Sequence, residues 1–80
     1  MFIVYIIYSE KFDSFYIGYT SDMERRIIVH NSGKTHSTKN KMPWKVVYQE
    51  EFNIKLEAVR REIFLKRQRN KLFYKKLCNL

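Results

Sequence analysis

One cysteine, Cys78, is present in the 80 residues, so neither an internal disulfide nor a cysteine-based metal site can form. A single proline and two glycines are too few for an extended linker, and no internal repeat or low-complexity tract is visible. Long apolar runs are missing as well. The longest, Phe2 to Tyr8, falls far short of the roughly 20 residues of a membrane span, and nothing after it resembles a signal-peptide cleavage site. Acid is scarce relative to base: eight Asp and Glu face sixteen Lys and Arg, a net charge of +8. We therefore expect one small domain over residues 1–80, in a reducing, cytoplasmic compartment and with no membrane partner.

What is present is material for a core and a surface for polyanions. Hydrophobic residues make up 45% of the chain and aromatics 16%, which separates it from a charged disordered tail. The positive excess favours nucleic acid over a membrane surface, because no segment is a clean basic amphipathic stretch with an aromatic edge. Charge alone supports binding, not chemistry.

Periodicity predicts an α+β fold, a three-stranded antiparallel sheet flanked by helices in the order β-β-α-β-α-α. Phe2 to Tyr8 and Phe15 to Tyr19 read as a hairpin around the polar turn Glu10 to Ser14. Alternation puts Ile3, Tyr5 and Ile7 on one face and places Tyr16 with Gly18, so Tyr5 and Tyr16 can look into one space. Ser21 or Asp22 can cap a helix that stops near Gly33. Within it Met23, Arg26, Ile27 and His30 share a face, an unusual mixture for a plain core stripe. Ser32 to Met42 reads as a solvated or phosphate-contacting loop, ended by Pro43. Trp44 to Phe52 reads as the third strand. From Ile54 the period turns helical, with Leu56, Val59 and Ile63 expected to face inward and Glu62 at the edge of that stripe; a last helix is expected from about Asn70 to Asn79.

Common catalytic signatures are absent: no Gly-rich phosphate loop, no HExxH pair, no Gly-x-Ser-x-Gly elbow, no CxxC. His30 and His36 lack the ligand set of a structural zinc. Polar groups at element edges remain: Tyr5, Tyr16, Arg26, His30 and Glu62. Singly, each has an ordinary explanation. Tyrosine packs well in strands, Arg26 is a common kind of surface charge, and Glu62 can pair with Lys66 one helical turn on. Cys78 is best read as a small buried hydrophobe. Arg60, Arg61, Lys66, Arg67, Arg69, Lys71, Lys75 and Lys76 form a dense basic block, suited to tracking phosphates. Arg25, Lys34, Lys39 and Lys41 add candidate nucleic-acid contacts.

In order and spacing the set resembles the GIY-YIG nuclease superfamily, in particular its small standalone bacterial members. Ile3-Val4-Tyr5 stands where the first motif belongs, and Tyr16-Ile17-Gly18 is the second motif unaltered. Tyr19-Thr20-Ser21-Asp22-Met23-Glu24-Arg25-Arg26 leads to His30-Asn31-Ser32-Gly33, similar to the segment that carries the family's active-site arginine and histidine. Pro43-Trp44 and Glu57-Ala58-Val59-Arg60-Arg61-Glu62 are also family-like. The resemblance implies Arg26 as the catalytic arginine, Glu62 as the metal-binding glutamate, and Tyr5 and Tyr16 as the motif tyrosines. Ile3 and Val4 depart from the first motif's glycine and isoleucine. For the asparagine that some members use late in the chain, only Asn70 and Asn79 are available.

The resemblance implies a metal-dependent endonuclease that hydrolyses DNA phosphodiester bonds, with links to DNA repair or recombination. Glu62 would anchor one Mg²⁺ or Mn²⁺, and Arg26 would stabilise the charge that develops on the phosphoryl oxygens. Tyr5 would be the general base and Tyr16 would orient the nucleophile, with His30 as the competing proton carrier. A phenol of pKa about 10 needs positive charge nearby to serve as a base. The alternatives are a noncatalytic DNA-binding module with the same fold and an RNA-associated protein, for which a basic surface suffices. Substrate choice, a protein partner and oligomeric state are not written in these residues.

Overall fold

The computed structural model describes residues 1–80 and contains β1 (Phe2–Ser9), β2 (Ser14–Thr20), α1 (Met23–His30), β3 (Lys45–Phe52), α2 (Lys55–Gln68) and α3 (Lys71–Leu77). A short 3₁₀ turn, Lys39–Lys41, lies in the connection between α1 and β3. The strands form one antiparallel sheet in the order β2-β1-β3. β1 is therefore central, and its apolar, β-branched sequence suits a strand buried on both faces. Val4, Tyr5, Ile6 and Ile7 are each at most 1% exposed.

Alternation along β1 sends these residues to two different clusters. Val4 and Ile6 pack with Ile17, Ala58, Leu65 and Tyr74, a core closed by α2 and α3. Tyr5 and Ile7 pack with Met23 and Trp44, joined by Ile3, Tyr16, Ile27 and Val46. The β1–β3 register shifts between Ile6, opposite Tyr48, and Ile7, opposite Val46. Val47 is the extra residue of this bulge, which lets Val46 serve the Tyr5 face while Val47 and Tyr48 both serve the other.

Side-chain caps start two of the helices, Asp22 being one of the two expected cap candidates of the first. The Asp22 side chain accepts from the Arg25 amide, and the Asn70 side chain accepts from the Leu72 and Phe73 amides. α1 turns Met23 and His30 inward as expected, with Arg26 and Ile27 half-buried and Ile28 in solvent. β3 begins one residue after Trp44, which instead packs beneath the sheet.

The expected inward stripe of α2 is corrected by the structure. Leu56 is 54% and Ile63 41% exposed, whereas Ala58 and Leu65 are fully buried. Ala58, Glu62 and Leu65 lie at i, i+4 and i+7, one face of the helix. The small Ala58 side chain allows close approach to the sheet, and this outweighs the larger apolar count of the opposite stripe. Glu62 is thereby carried to the sheet side, with its side chain 15% exposed.

Candidate active site

Tyr5 and Gly18 are direct partners across the β1–β2 ladder. A Cβ at position 18 would lie 2.5 Å from the Tyr5 hydroxyl, so glycine there is what leaves room for the phenol. The hydroxyl is the hub of a buried chain of hydrogen bonds. It lies 2.8 Å from His30 Nε2 and accepts from Arg26 Nε at 3.3 Å. His30 Nδ1 is 2.9 Å from Thr38 Oγ1, and Trp44 Nε1 donates to the Thr38 carbonyl at 2.9 Å. Asn31 clamps the Trp44 backbone from both sides, accepting from its N–H at 2.6 Å and donating to its carbonyl at 2.9 Å. Tyr16 and Tyr5 both meet the His30 ring edge-on, at centroid distances of 5.0 and 5.8 Å.

The protonation states follow from this packing. Burial, reinforced by the Arg26 charge, lowers the His30 pKa to about 4, so the imidazole is neutral at neutral pH. One ring nitrogen then carries the proton and the other accepts. Arg26 already supplies a donor to the Tyr5 oxygen, so the arrangement that satisfies every group has Tyr5 O–H donating to Nε2 and Nδ1–H donating to Thr38. Burial raises the Tyr5 pKa, and the Arg26 hydrogen bond and charge only partly offset it. The Glu62 carboxylate is near enough to push in the same direction as burial. Arg26 itself is held more firmly protonated, chiefly by its bond to Tyr5. The expectation that a neighbouring cation makes the phenolate accessible is thus opposed by desolvation: the phenol is neutral in the free protein.

Placement separates the sequence-predicted residues into two groups. Tyr5, Arg26 and His30 are hydrogen-bonded to one another, and Tyr16 packs against His30. Glu62 approaches from α2, where its carboxylate meets Lys66 Nζ at 3.6 Å. No cluster of three or more His, Cys, Asp or Glu side chains that could hold a metal exists, so a cation at Glu62 would have at most one further such side chain beside it. That donor set fits Mg²⁺ or Mn²⁺, which commonly take one or two carboxylates and complete their shell with water and phosphate oxygens.

An open polar cleft lined by Thr20, Ser21, Asp22, Arg25, Arg26 and Val29 sets Arg25 beside Arg26. Lys34, Lys39, Arg60, Arg67 and Arg69 are exposed, and Lys41 reaches Ser14 Oγ at 3.3 Å. Arg61 is not a free cation. Its Nε donates to Glu50 Oε2 at 3.2 Å, Tyr48 donates to the same oxygen at 2.6 Å, and the guanidinium lies 5.2 Å from the Phe64 ring centroid. Asn70 is committed to capping α3, which leaves Asn79 as the uncommitted late asparagine. The sequence reading missed Thr38, fully buried inside the loop taken as solvated or phosphate-contacting. It also gave Trp44 and Asn31 no part in holding the site. A lone tryptophan next to the one proline was the available signal for the first; Thr38 and Asn31 sit in polar surroundings and carry none.

Known proteins resemble the chain in sequence and in fold. The chain is 47% identical over 57 residues to a UPF0213 protein of Streptococcus pneumoniae, covering 70% of this chain and 58% of that one. It is 48% identical over 64 residues to a UPF0213 protein of Staphylococcus haemolyticus, covering 79% and 77%. The matched region is thus less than two thirds of the length of some of these relatives. A solution NMR structure of a UPF0213 protein from Bacillus halodurans superposes with a TM-score of 0.54 at 35% identity, covering 96% of this chain and 87% of that one. Residues 1–77 match the GIY-YIG catalytic domain, and the chain belongs to that family.

Proposed function

We propose that residues 1–80 act as one catalytic domain, an endonuclease that hydrolyses DNA phosphodiester bonds with the help of a divalent cation bound at Glu62. The observation that carries this reading is the convergence of Tyr5, Arg26 and His30 in a single hydrogen-bonded unit. Backbone binding alone needs only surface cations and gives no reason to bury such a unit. Mg²⁺ or Mn²⁺, when bound, would offset the charge that builds on the phosphoryl and leaving oxygens.

The protein's own groups divide the remaining work. The Tyr5 bond uses Arg26 Nε, so the terminal amino groups of the guanidinium, which also have Tyr16 nearby, can turn to a substrate phosphate. Tyr5 takes a proton from the attacking water while its own passes to His30 Nε2, and Nδ1–H stays on Thr38. The two proton carriers of the sequence reading therefore act in series. Tyr5 is 1% and His30 0% exposed, so the attacking water would have to reach the Tyr5 hydroxyl past Arg26, which bonds that oxygen and lines the open cleft, and His30 would act only through Tyr5. With the phenol held above its ordinary value and the imidazole lowered to about 4, complete transfer from Tyr5 to His30 is strongly uphill in the free protein. The relay is thus silent until a bound phosphate and cation change the local charge.

Purified protein with Mg²⁺ or Mn²⁺ is expected to nick or cleave DNA across a panel of duplex, branched and single-stranded substrates. Glu62→Ala and Arg26→Ala are each expected to lower the rate by at least about 10²-fold while keeping the native circular dichroism spectrum. Cleavage at the unmodified rate by both variants overturns the assignment. Salt-dependent, metal-independent binding with no cleavage of any substrate points to the noncatalytic module.

A further inference from the structure

The turn between β1 and β2 takes no part in the Tyr5 network, yet it is firmly braced. Phe12 stands at its tip, 47% exposed, with Lys11 Nζ 5.7 Å from the ring centroid. An isolated exposed aromatic is common on protein surfaces and by itself needs no explanation. What distinguishes this one is how its support is fixed. Asp13, the next residue, adopts a φ of 49°, in the left-handed region. Its carboxylate accepts from the Tyr8 hydroxyl at 2.7 Å and pairs with Lys75 at 3.3 Å and Lys71 at 3.5 Å, both from α3. On the other side Glu10 pairs with Lys45 of β3 at 3.5 Å.

The turn is therefore fastened to the two elements that flank it, and both of its acids are neutralised by lysines. Its tip offers a flat apolar ring on a tethered turn, with lysines beside it. A hydrophobic protein partner would have to strip water from those lysines. A nucleic acid presents the complementary pair, a base with a π-face and phosphates beside it. Paired bases are stacked inside the duplex, so the base available to Phe12 is an unpaired one.

We infer that the β1–β2 turn is a second DNA contact, in which Phe12 stacks on an unpaired base and Lys11 meets an adjoining phosphate. This rests on the reading above that the substrate is DNA, and it sharpens that reading toward DNA with single-stranded character. The test uses fluorescence anisotropy in EDTA at low salt. It compares a forked DNA having unpaired arms with a blunt duplex of the same sequence, for unmodified protein, Phe12→Ala and Phe12→Trp. Phe12 lies outside both core clusters, so the variants are expected to fold, and circular dichroism checks this. Phe12→Ala is expected to weaken binding to the fork by about 5-fold to 100-fold, with blunt-duplex binding changed less than about 2-fold. Phe12→Trp is expected to keep the fork affinity. The slope of log affinity against log salt should not change, because no charge is removed. Unchanged fork affinity in Phe12→Ala, or an equal loss on both DNAs, overturns the inference and leaves the nuclease reading standing. Failure of the unmodified protein to bind either DNA overturns both.

Discussion

The two faces of β1 are one residue apart in sequence and opposite in physical character. Val4 and Ile6 face a mainly apolar cluster in which most of the stabilisation comes from removing apolar surface from water, at roughly 1.5–3 kcal/mol per large side chain, with the Tyr74 hydroxyl donating to the Leu65 carbonyl at 2.6 Å. Tyr5 looks the other way into a buried chain of polar groups, where each hydrogen bond adds a net ~0.5–1.5 kcal/mol and each broken one leaves an unsatisfied group. The first face therefore holds the fold, and the second uses much of its burial to position a phenol, an imidazole and a guanidinium. A protein arranged this way should allow stability and catalysis to be damaged separately.

Paired substitutions one residue apart are the most direct way to break the comparison. Tyr5→Phe removes one oxygen and leaves the ring in place. Loss of a general base typically lowers the rate by about 10²- to 10⁴-fold, and that is the expected drop in metal-dependent cleavage. The cost in stability should be smaller, about 1–3 kcal/mol, from leaving His30 Nε2 without its donor. Ile6→Ala should do the reverse. Its side chain is fully buried, so a loss of about 2–5 kcal/mol is expected in urea unfolding, with the cleavage rate per folded molecule unchanged. Similar rate losses in both variants would mean that the two faces are not functionally distinct.

This division also explains how far the fold and the site are legible in the sequence. Strand alternation depends on side-chain direction alone, so the order of residues is enough to set Tyr5 apart from Val4 and Ile6, and helical spacing is enough to turn Arg26 and His30 toward the same space. The capping signal at Ser21 or Asp22, which the structure settles on Asp22, is local and equally legible. The inward face of α2 is not, because two stripes compete and the choice depends on how closely Ala58 lets the helix approach the sheet, a tertiary property. Thr38 is hidden for another reason. Its burial results from the way the connection before β3 folds back over His30, and nothing in a run of Lys, Thr and Asn marks one threonine as different from its neighbours. Bonds between residues distant in sequence, such as His30 to Thr38 and Asn31 to Trp44, lie beyond periodicity altogether.

Acid should expose the polar face selectively. His30 has a folded pKa of about 4 against about 6.5 when unfolded, so between these values the unfolded chain binds more protons than the folded one. The neutral imidazole's contribution is complete above about pH 6.5 and is lost as the pH falls through 4, a total on the order of 3 kcal/mol. Thermal unfolding followed from pH 7.5 to 4 is expected to show a falling midpoint over this window. In His30→Gln the slope should flatten, whereas in Ile6→Ala the whole curve should shift down with its slope retained. An unchanged slope in His30→Gln would show that some other group governs acid stability.

The smallest expected effect concerns the carboxylate that α2 brings to the sheet side. Glu62 has two claims on it: a structural pair with Lys66 at 3.6 Å, one helical turn away, and the proposed cation. Lys66 is 51% exposed, and pairs of this kind contribute about 0.3–0.5 kcal/mol. Lys66→Ala should therefore lower stability by no more than about 0.5 kcal/mol. If Glu62 serves mainly as the cation ligand, removing the competing ammonium should leave maximal cleavage intact and shift the Mg²⁺ titration slightly toward lower concentration. A structural pair predicts a different result, in which Lys66→Ala and Glu62→Ala have the same small effect on unfolding and neither alters the metal titration. Measuring both variants against Mg²⁺ concentration decides whether this carboxylate belongs with the relay around Tyr5 or with the scaffold on the other side of β1.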